Sequence, residues 1–394
     1  MSITDKLLEQ GKGVLRLAPT WLPRKMNRPG RRLKLHPEDI WTLGIERGGI
    51  SHRWLSSTIW SDNGPLAPSD EGLSYVVSED GEEKITLYEM VESLKGDLIG
   101  EALWNKYHGW PMFSKFFDNV NPLPLHLHQG EATATLVNAP GKPEMYFFPA
   151  QLNNYVGEFP HTYFGINPEV TKDDVKECLM NFEKGDNNIL SLSKAYKMEL
   201  DTGWDVPAGI LHAPGSLVVY EPCVASGAMA HWQSVTQGDH VTPSYLLWAY
   251  SPEEEIGNYD YLLEIIDWEL NYDPEFKKNR FMKPRIIEEN TAYTDEWIGY
   301  KCPLVSAKRL TINPGQTCTI KDGGAYGCIL IQGRGIFGVW DAETPTLIRY
   351  GQLTSDEFFV SDEAASRGVT VTNTSKTEPF VMLKHFAENR SLVI

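Results

Sequence analysis

The chain has 394 residues, 41% hydrophobic and 23% charged, so two or three domains of about 100–200 residues with a sizeable core are expected and disorder is excluded. A formal net charge of −17 disfavours nucleic acid as a partner, and no apolar run approaches the ~20 residues of a membrane span. With 33 Gly, 25 Pro, 12 Trp, 17 Tyr and 15 Phe, the composition points to turns and short strands.

Residues 1–36 begin polar and then bring Arg16, Arg24, Lys25, Arg28, Arg31, Arg32 and Lys34 together with no acid among them. Such a run either contacts an anion or, as the plainer reading, forms a surface arm that pairs with the acidic remainder. Over residues 86–106, Leu87, Met90, Val91, Leu94 and Leu98 fall at helical spacing, so residues 1–110 read as an N-terminal segment with short helices leading into a first barrel. Residues 111–250 change to strand texture: LPLHLH, ATATLV, EMYFF, SLVVYEP and SYLLWAY, punctuated by Pro, Gly and Asn. A helical insert is expected at about 168–197, with Pro168 suited to its first turn. Residues 253–296 hold 13 Asp/Glu against 5 Lys/Arg, so 251–299 read as an acidic helical connector. A second β texture, residues 300–394, suggests a sandwich or jelly roll.

The five cysteines are odd in number and scattered, with no CxxC, which fits a reducing compartment. MSITDKLLEQGKG lacks an apolar signal core, so a cytoplasmic location is expected.

The densest chemical signal is the segment Pro122 to His128, PLPLHLH. On a strand, His126 and His128 share one face and the leucines the other, so two imidazoles can reach a single metal ion while the leucines anchor the strand. Further on, PxGxxH (Pro207 to His212) is a tight turn that delivers a histidine onto a strand, and Lys142-Pro143-Glu144 places an acid at the opening of an apolar strand. A His/His/Glu/His set would offer neutral nitrogens and one anionic oxygen. Each piece also has an ordinary structural reading, as a paired surface histidine or a solvated glutamate.

In this order, HxH then KPE then PxGxxH, the chain resembles the cupin superfamily and, within it, the type I mannose-6-phosphate isomerase (phosphomannose isomerase) family. The resemblance implies a mainly β bicupin: two jelly-roll β-barrels with a helical insert and a helical connector, the metal in 111–250 and none in 300–394. It also implies that His128, Glu144 and His212 fall on the family's metal ligands, with His126 in place of a glutamine. Pro111 to Asp118 looks like the family's proline-led strand, with Lys115 as a substrate-binding residue. One divalent ion is implied, zinc in the family; the donor set would equally suit Mn, Fe, Co or Ni.

Two features depart from the pattern. Where the family usually carries an arginine after the last ligand, ungapped counting from Glu221 reaches His231, which puts mannose 6-phosphate itself in doubt. Glu131 competes with Glu144 as the carboxylate, because HxH followed closely by Glu also opens metal-binding germin-like cupins and cupin dioxygenases. Strand alternation from His128 turns Glu131 away and favours Glu144.

The expected function is a metal-dependent aldose–ketose isomerase working through an enediol on a small carbohydrate, phosphorylated or not. His231, Lys142 and Glu221 are candidates for the general base. An Fe(II) cupin dioxygenase and a non-catalytic sugar-binding cupin are the alternatives. His36, His52, His108, His161, His240 and His385 have no partners at ligand spacing and read as structural. Trp104, Tyr107 and Trp110 read as core packing rather than a sugar platform.

Overall fold

The computed structural model describes residues 2–392 and is mainly β, built from antiparallel sheets. Strand alternation explains the layering. In Met112–Phe117, Phe113, Lys115 and Phe117 face one way while Met112 and Phe116 face the other, so both faces of the strand must be covered. It belongs to a seven-stranded sheet, ordered 281–282, 203–206, 144–147, 219–224, 112–117, 49–55, 20–24. One face of this sheet packs on a five-stranded sheet, ordered 193–197, 161–166, 211–213, 126–127, 230–231, through Phe117, Tyr146, Phe164, Trp204 and Ile210. Its other face lies back to back with a nine-stranded sheet, through Phe116, Met145, Phe147 and Tyr220 against Ala307, Ile329, Phe359 and Leu383. The nine-stranded sheet in turn covers a four-stranded one, with Leu310, Tyr326 and Phe358 against Ile320, Phe337 and Val371. The sheets stay open; among the described residues none closes on itself as a barrel.

The N-terminal segment does more than lead in. Strand Val14–Ala18 pairs with Glu357–Val360 in the nine-stranded sheet, whereas Thr20–Arg24 and Gly49–Leu55 complete the edge of the seven-stranded sheet. Pro19 separates the first two strands, so one short stretch of chain stitches both large sheets.

Several segments differ from their expected form. ATATLV is a helical turn, Glu131–Ala134, followed by a 3-10 turn, Thr135–Val137, closed by the Thr133 and Thr135 hydroxyls donating to backbone carbonyls. SYLLWAY is a 3-10 turn, Ser244–Leu246, opening after Pro243 and burying Leu247 beneath the five-stranded sheet's outer cluster. Short apolar runs of this kind have no decisive periodicity. The insert is helical at Lys172–Met180, but Ser193–Lys197 pairs with His161–Ile166 as a strand. The acidic stretch forms helices Tyr259–Glu264, Trp268–Tyr272 and Phe276–Arg280, then turns to strands Arg285–Glu289 and Tyr293–Gly299. All five cysteines are free, and no helix among the described residues is long and apolar enough to cross a membrane.

Candidate metal centre and its cavity

Three adjacent strands of the five-stranded sheet place three histidines side by side. His212 lies opposite His126, and His126 lies opposite His231 on its other flank. One residue along, Leu211, Leu127 and Ala230 form a parallel row on the reverse face, buried against the helical insert's Val175 and Leu179 and against Leu262. The apolar row explains the polar one: burying the leucines under the helices turns the imidazoles toward the seven-stranded sheet. His128 joins from just beyond the strand. Ligand nitrogens of His126, His128 and His212 all lie within 4.8 Å of one another, and all three residues are buried.

The tautomer of each ring follows from its partner. Nδ1 of His126 lies 2.7 Å from the Pro124 carbonyl, that of His128 2.7 Å from Ala228, and that of His212 2.9 Å from Ile210. A carbonyl only accepts, so each Nδ1 carries a proton and each Nε2 is the atom turned to the cluster. Glu144, at the start of strand Glu144–Phe147 in the facing sheet, directs Oε2 to His128 Nε2 at 3.1 Å and Oε1 to His212 Nε2 at 3.2 Å. Imidazole nitrogens and carboxylate oxygens thus gather at one point; His212 Nε2 has no hydrogen-bond partner, and the Lys142 ammonium lies 3.3 Å from His128 Nε2 and 3.2 Å from Glu144 Oε2. That is the electrostatic pattern of a cation site, and the donor set fits a borderline divalent ion.

Ionisation agrees. Burial, then the neighbouring imidazoles, holds His126 well below the usual histidine range; burial and the Lys142 charge lower His128 to about 3. Both rings are neutral at pH 7, as ligation requires. Burial opposes the charge of Glu144, but the Lys142 ammonium 3.2 Å from Oε2 keeps the group a carboxylate. Tyr146 donates its hydroxyl to Oε1, and Lys142 Nζ sits 3.2 Å from Oε2.

The site opens on a small cavity of about 160 Å³ lined by His126, His128, Lys142, Tyr146, Lys115, Glu221 and His231. Lys115 and Glu221 are directly opposite across neighbouring strands, Nζ to Oε1 2.8 Å, and Lys142 lies 3.8 Å from the same oxygen. Burial, reinforced by Glu144, raises Glu221 to about 7. His231 is buried, lowered to about 4 by burial and then by Arg24, and its Nδ1 has no partner. Its ring centroid is 6.2 Å from that of His126.

All residues singled out for chemistry therefore converge here: His126, His128, His212 and Glu144 at the cluster, with Lys115, Lys142, Glu221 and His231 on the walls. Glu131 is elsewhere, exposed and accepting from the Gly141 N–H at 2.8 Å. His52 and Arg24, which sequence reading had set aside as structural and surface residues, also line the cavity. Alternation signals His52, which shares a strand face with Trp54, but only with the facing sheet known; Arg24 is not signalled, because a register shift between Leu22 and Pro23 breaks the alternation before it. His36 instead caps a short 3-10 turn, and His385 accepts or donates at Tyr220, 2.8 Å away.

No protein-family model matches the chain, and no curated protein matches it significantly in sequence. Solved structures do match in fold. Mannose 6-phosphate isomerase from Bacillus subtilis superposes with a TM-score of 0.61 at 14% identity, over 95% of this chain and 99% of that one. A mutant of phosphomannose isomerase from Salmonella typhimurium gives 0.61 at 11% identity, over 95% and 100%. The chain thus shares its fold along nearly its whole length with proteins of these names.

Proposed function

We propose that the protein is a metal-dependent aldose–ketose isomerase that shifts a proton between adjacent carbons of a sugar or sugar phosphate through an enediol. The observation behind this reading is the trio of buried imidazoles whose Nε2 atoms gather around a carboxylate beside a small cavity. The fold shared with phosphomannose isomerases supports it. His126, His128, His212 and Glu144 would hold the ion, zinc by preference, which when bound supplies Lewis acidity to a carbonyl and its neighbouring hydroxyl.

The protein's own groups do the rest. Three backbone carbonyls lock the imidazole rings, and Tyr146 with Lys142 aims the Glu144 oxygens. Glu221 is the group we assign as general base: it lines the cavity, touches no imidazole, and titrates near working pH. It removes the proton from C2 and returns it to C1 while Lys115 holds its carboxylate in place. His231 stays neutral at pH 7, so it offers hydrogen bonding to a hydroxyl rather than a fixed charge. Trp54 and Phe113 form an apolar wall that limits water around the enediol.

The test is to incubate the metal-loaded protein with a panel of free and phosphorylated aldoses and ketoses in D₂O and follow loss of the aldose C2 or ketose C1 proton signal by NMR. Exchange on at least one sugar is expected. No exchange on any member would overturn the reading.

A further inference from the structure

We infer that Arg24 is the anion-binding residue of this cavity, holding the phosphate or carboxylate of a charged sugar whose reacting end lies at the three histidines. The inference rests on the isomerase reading for the orientation of the sugar.

Arg24 closes strand Thr20–Arg24, where a register shift between Leu22 and Pro23 re-aims the strand end, and its side chain lines the same cavity as His126, His128 and His231. Its guanidinium sits over the Trp54 ring at 5.9 Å and donates once, to Ser61 Oγ at 3.2 Å. Other arginines of the N-terminal segment bury against carboxylates: Arg32 on Asp118 at 2.7 Å, Arg53 on Asp356 at 2.8 Å, and Arg47 on Glu71. Among the described residues no carboxylate oxygen lies within 4.0 Å of Arg24. Of the acids nearby, Glu71 is engaged by Arg47 and by Asn63 at 2.8 Å; Asp62 lines the same cavity but is exposed and makes no ion pair with Arg24.

A half-buried guanidinium with no carboxylate within 4.0 Å is under-compensated, and its planar fork matches a phosphate or carboxylate in two hydrogen bonds. Burial lowers Arg24 to about 10, so it stays charged at neutral pH. Its charge acts on His231 and His52, whereas the leading influences on His126 and His128 are burial, one another's neighbours and Lys142. Arg24 and the imidazole cluster thus line one cavity, with His231 beside His126. A route for anions adjoins it. An open basin of about 730 Å³ shares Met26 and Asn27 with the cavity and is lined by Lys25, Arg31 and Arg28, the last paired with Asp239 at 2.7 Å. Against a net charge of −17, this basic patch would draw an anion inward.

The experiment is calorimetric titration of the metal-loaded full-length protein with three probes: an aldose 6-phosphate, the corresponding hexuronate and the uncharged aldose. Wild type, Arg24→Gln and Arg24→Lys are compared. In wild type at least one anionic sugar should bind about 10- to 100-fold more tightly than the neutral one, the value of a charged hydrogen-bonded contact. Arg24→Gln should collapse that ratio toward one, and Arg24→Lys should retain part of it. Which anion is preferred distinguishes phosphate from carboxylate. A preference unchanged in Arg24→Gln, no anion preference in wild type, or no binding of any probe would overturn the inference. Because binding is read without turnover, an absence of C2 exchange alongside an Arg24-dependent preference would refute the isomerase reading alone.

Discussion

Replacing His128 or His212 by alanine should empty the metal centre, and the size of the effect follows from the donor count. Small structural zinc sites gain roughly 10–16 kcal/mol from four donors, or about 3 kcal/mol per donor. At 1.4 kcal/mol per tenfold, loss of one imidazole should weaken binding more than about 100-fold. Each imidazole removed has a backbone carbonyl as its Nδ1 partner, Ala228 for His128 and Ile210 for His212, so the deletion also leaves a carbonyl unpaired in the interior. His231→Ala is the internal comparison. It removes a buried imidazole from the same sheet, but His231 lies outside the three-nitrogen cluster and should keep its metal. Elemental analysis after dialysis gives the stoichiometry and competition with a chromogenic chelator gives the affinity. The denaturation midpoint with and without metal reports linkage, worth about 2.7 kcal/mol at a hundredfold excess over Kd. Stoichiometric metal retained in both His128→Ala and His212→Ala would refute the assignment, as would equal loss in His231→Ala.

Glu221→Gln should abolish C2 deuterium exchange, by about 100-fold or more, while leaving metal bound; NMR in D₂O and elemental analysis read the two parts, and wild-type exchange would move the base elsewhere. Arg53→Met should destabilise by about 3–5 kcal/mol in urea denaturation, because it strands Asp356, held in two 2.8 Å bonds, and Glu357, at 3.1 Å, without a counter-charge. A loss below about 1 kcal/mol would mean the carboxylates find other relief. His385 is lowered by burial from 6.5 to about 3, so the unfolded chain binds the extra proton between those values. Its contribution is complete above pH 6.5 and is lost as pH falls toward 3, at up to about 1.4 kcal/mol per unit. His385→Gln should flatten the midpoint-versus-pH curve over that window, and an unchanged slope would contradict the neutral buried ring.

Much of the site was legible because it depends on local periodicity. Alternation alone put His126 and His128 on one face and Leu125 and Leu127 on the other, and the leucines are indeed buried beneath the helical layer. The same rule set Glu131 apart from the histidines, although the reason proved to be a helical turn rather than a strand. ATATLV and SYLLWAY misled because so short a mostly apolar run fits a strand or a buried turn equally well, and only packing decides between them.

Length, composition and charge together determined a β-rich chain with a core large enough for stacked sheets, and residue spacing determined which side chains could share a face. Tertiary structure alone decided which faces meet. The opposition of Lys115 to Glu221 is a matter of register between strands about a hundred residues apart in sequence, and no local signal encodes it. Arg24 and His52 reach the cavity because strands from the N-terminal segment complete the edge of the sheet that carries Glu144 and Glu221. Period two tells a side chain which way to point relative to its own strand; the burial of apolar surface between sheets decides what it points at.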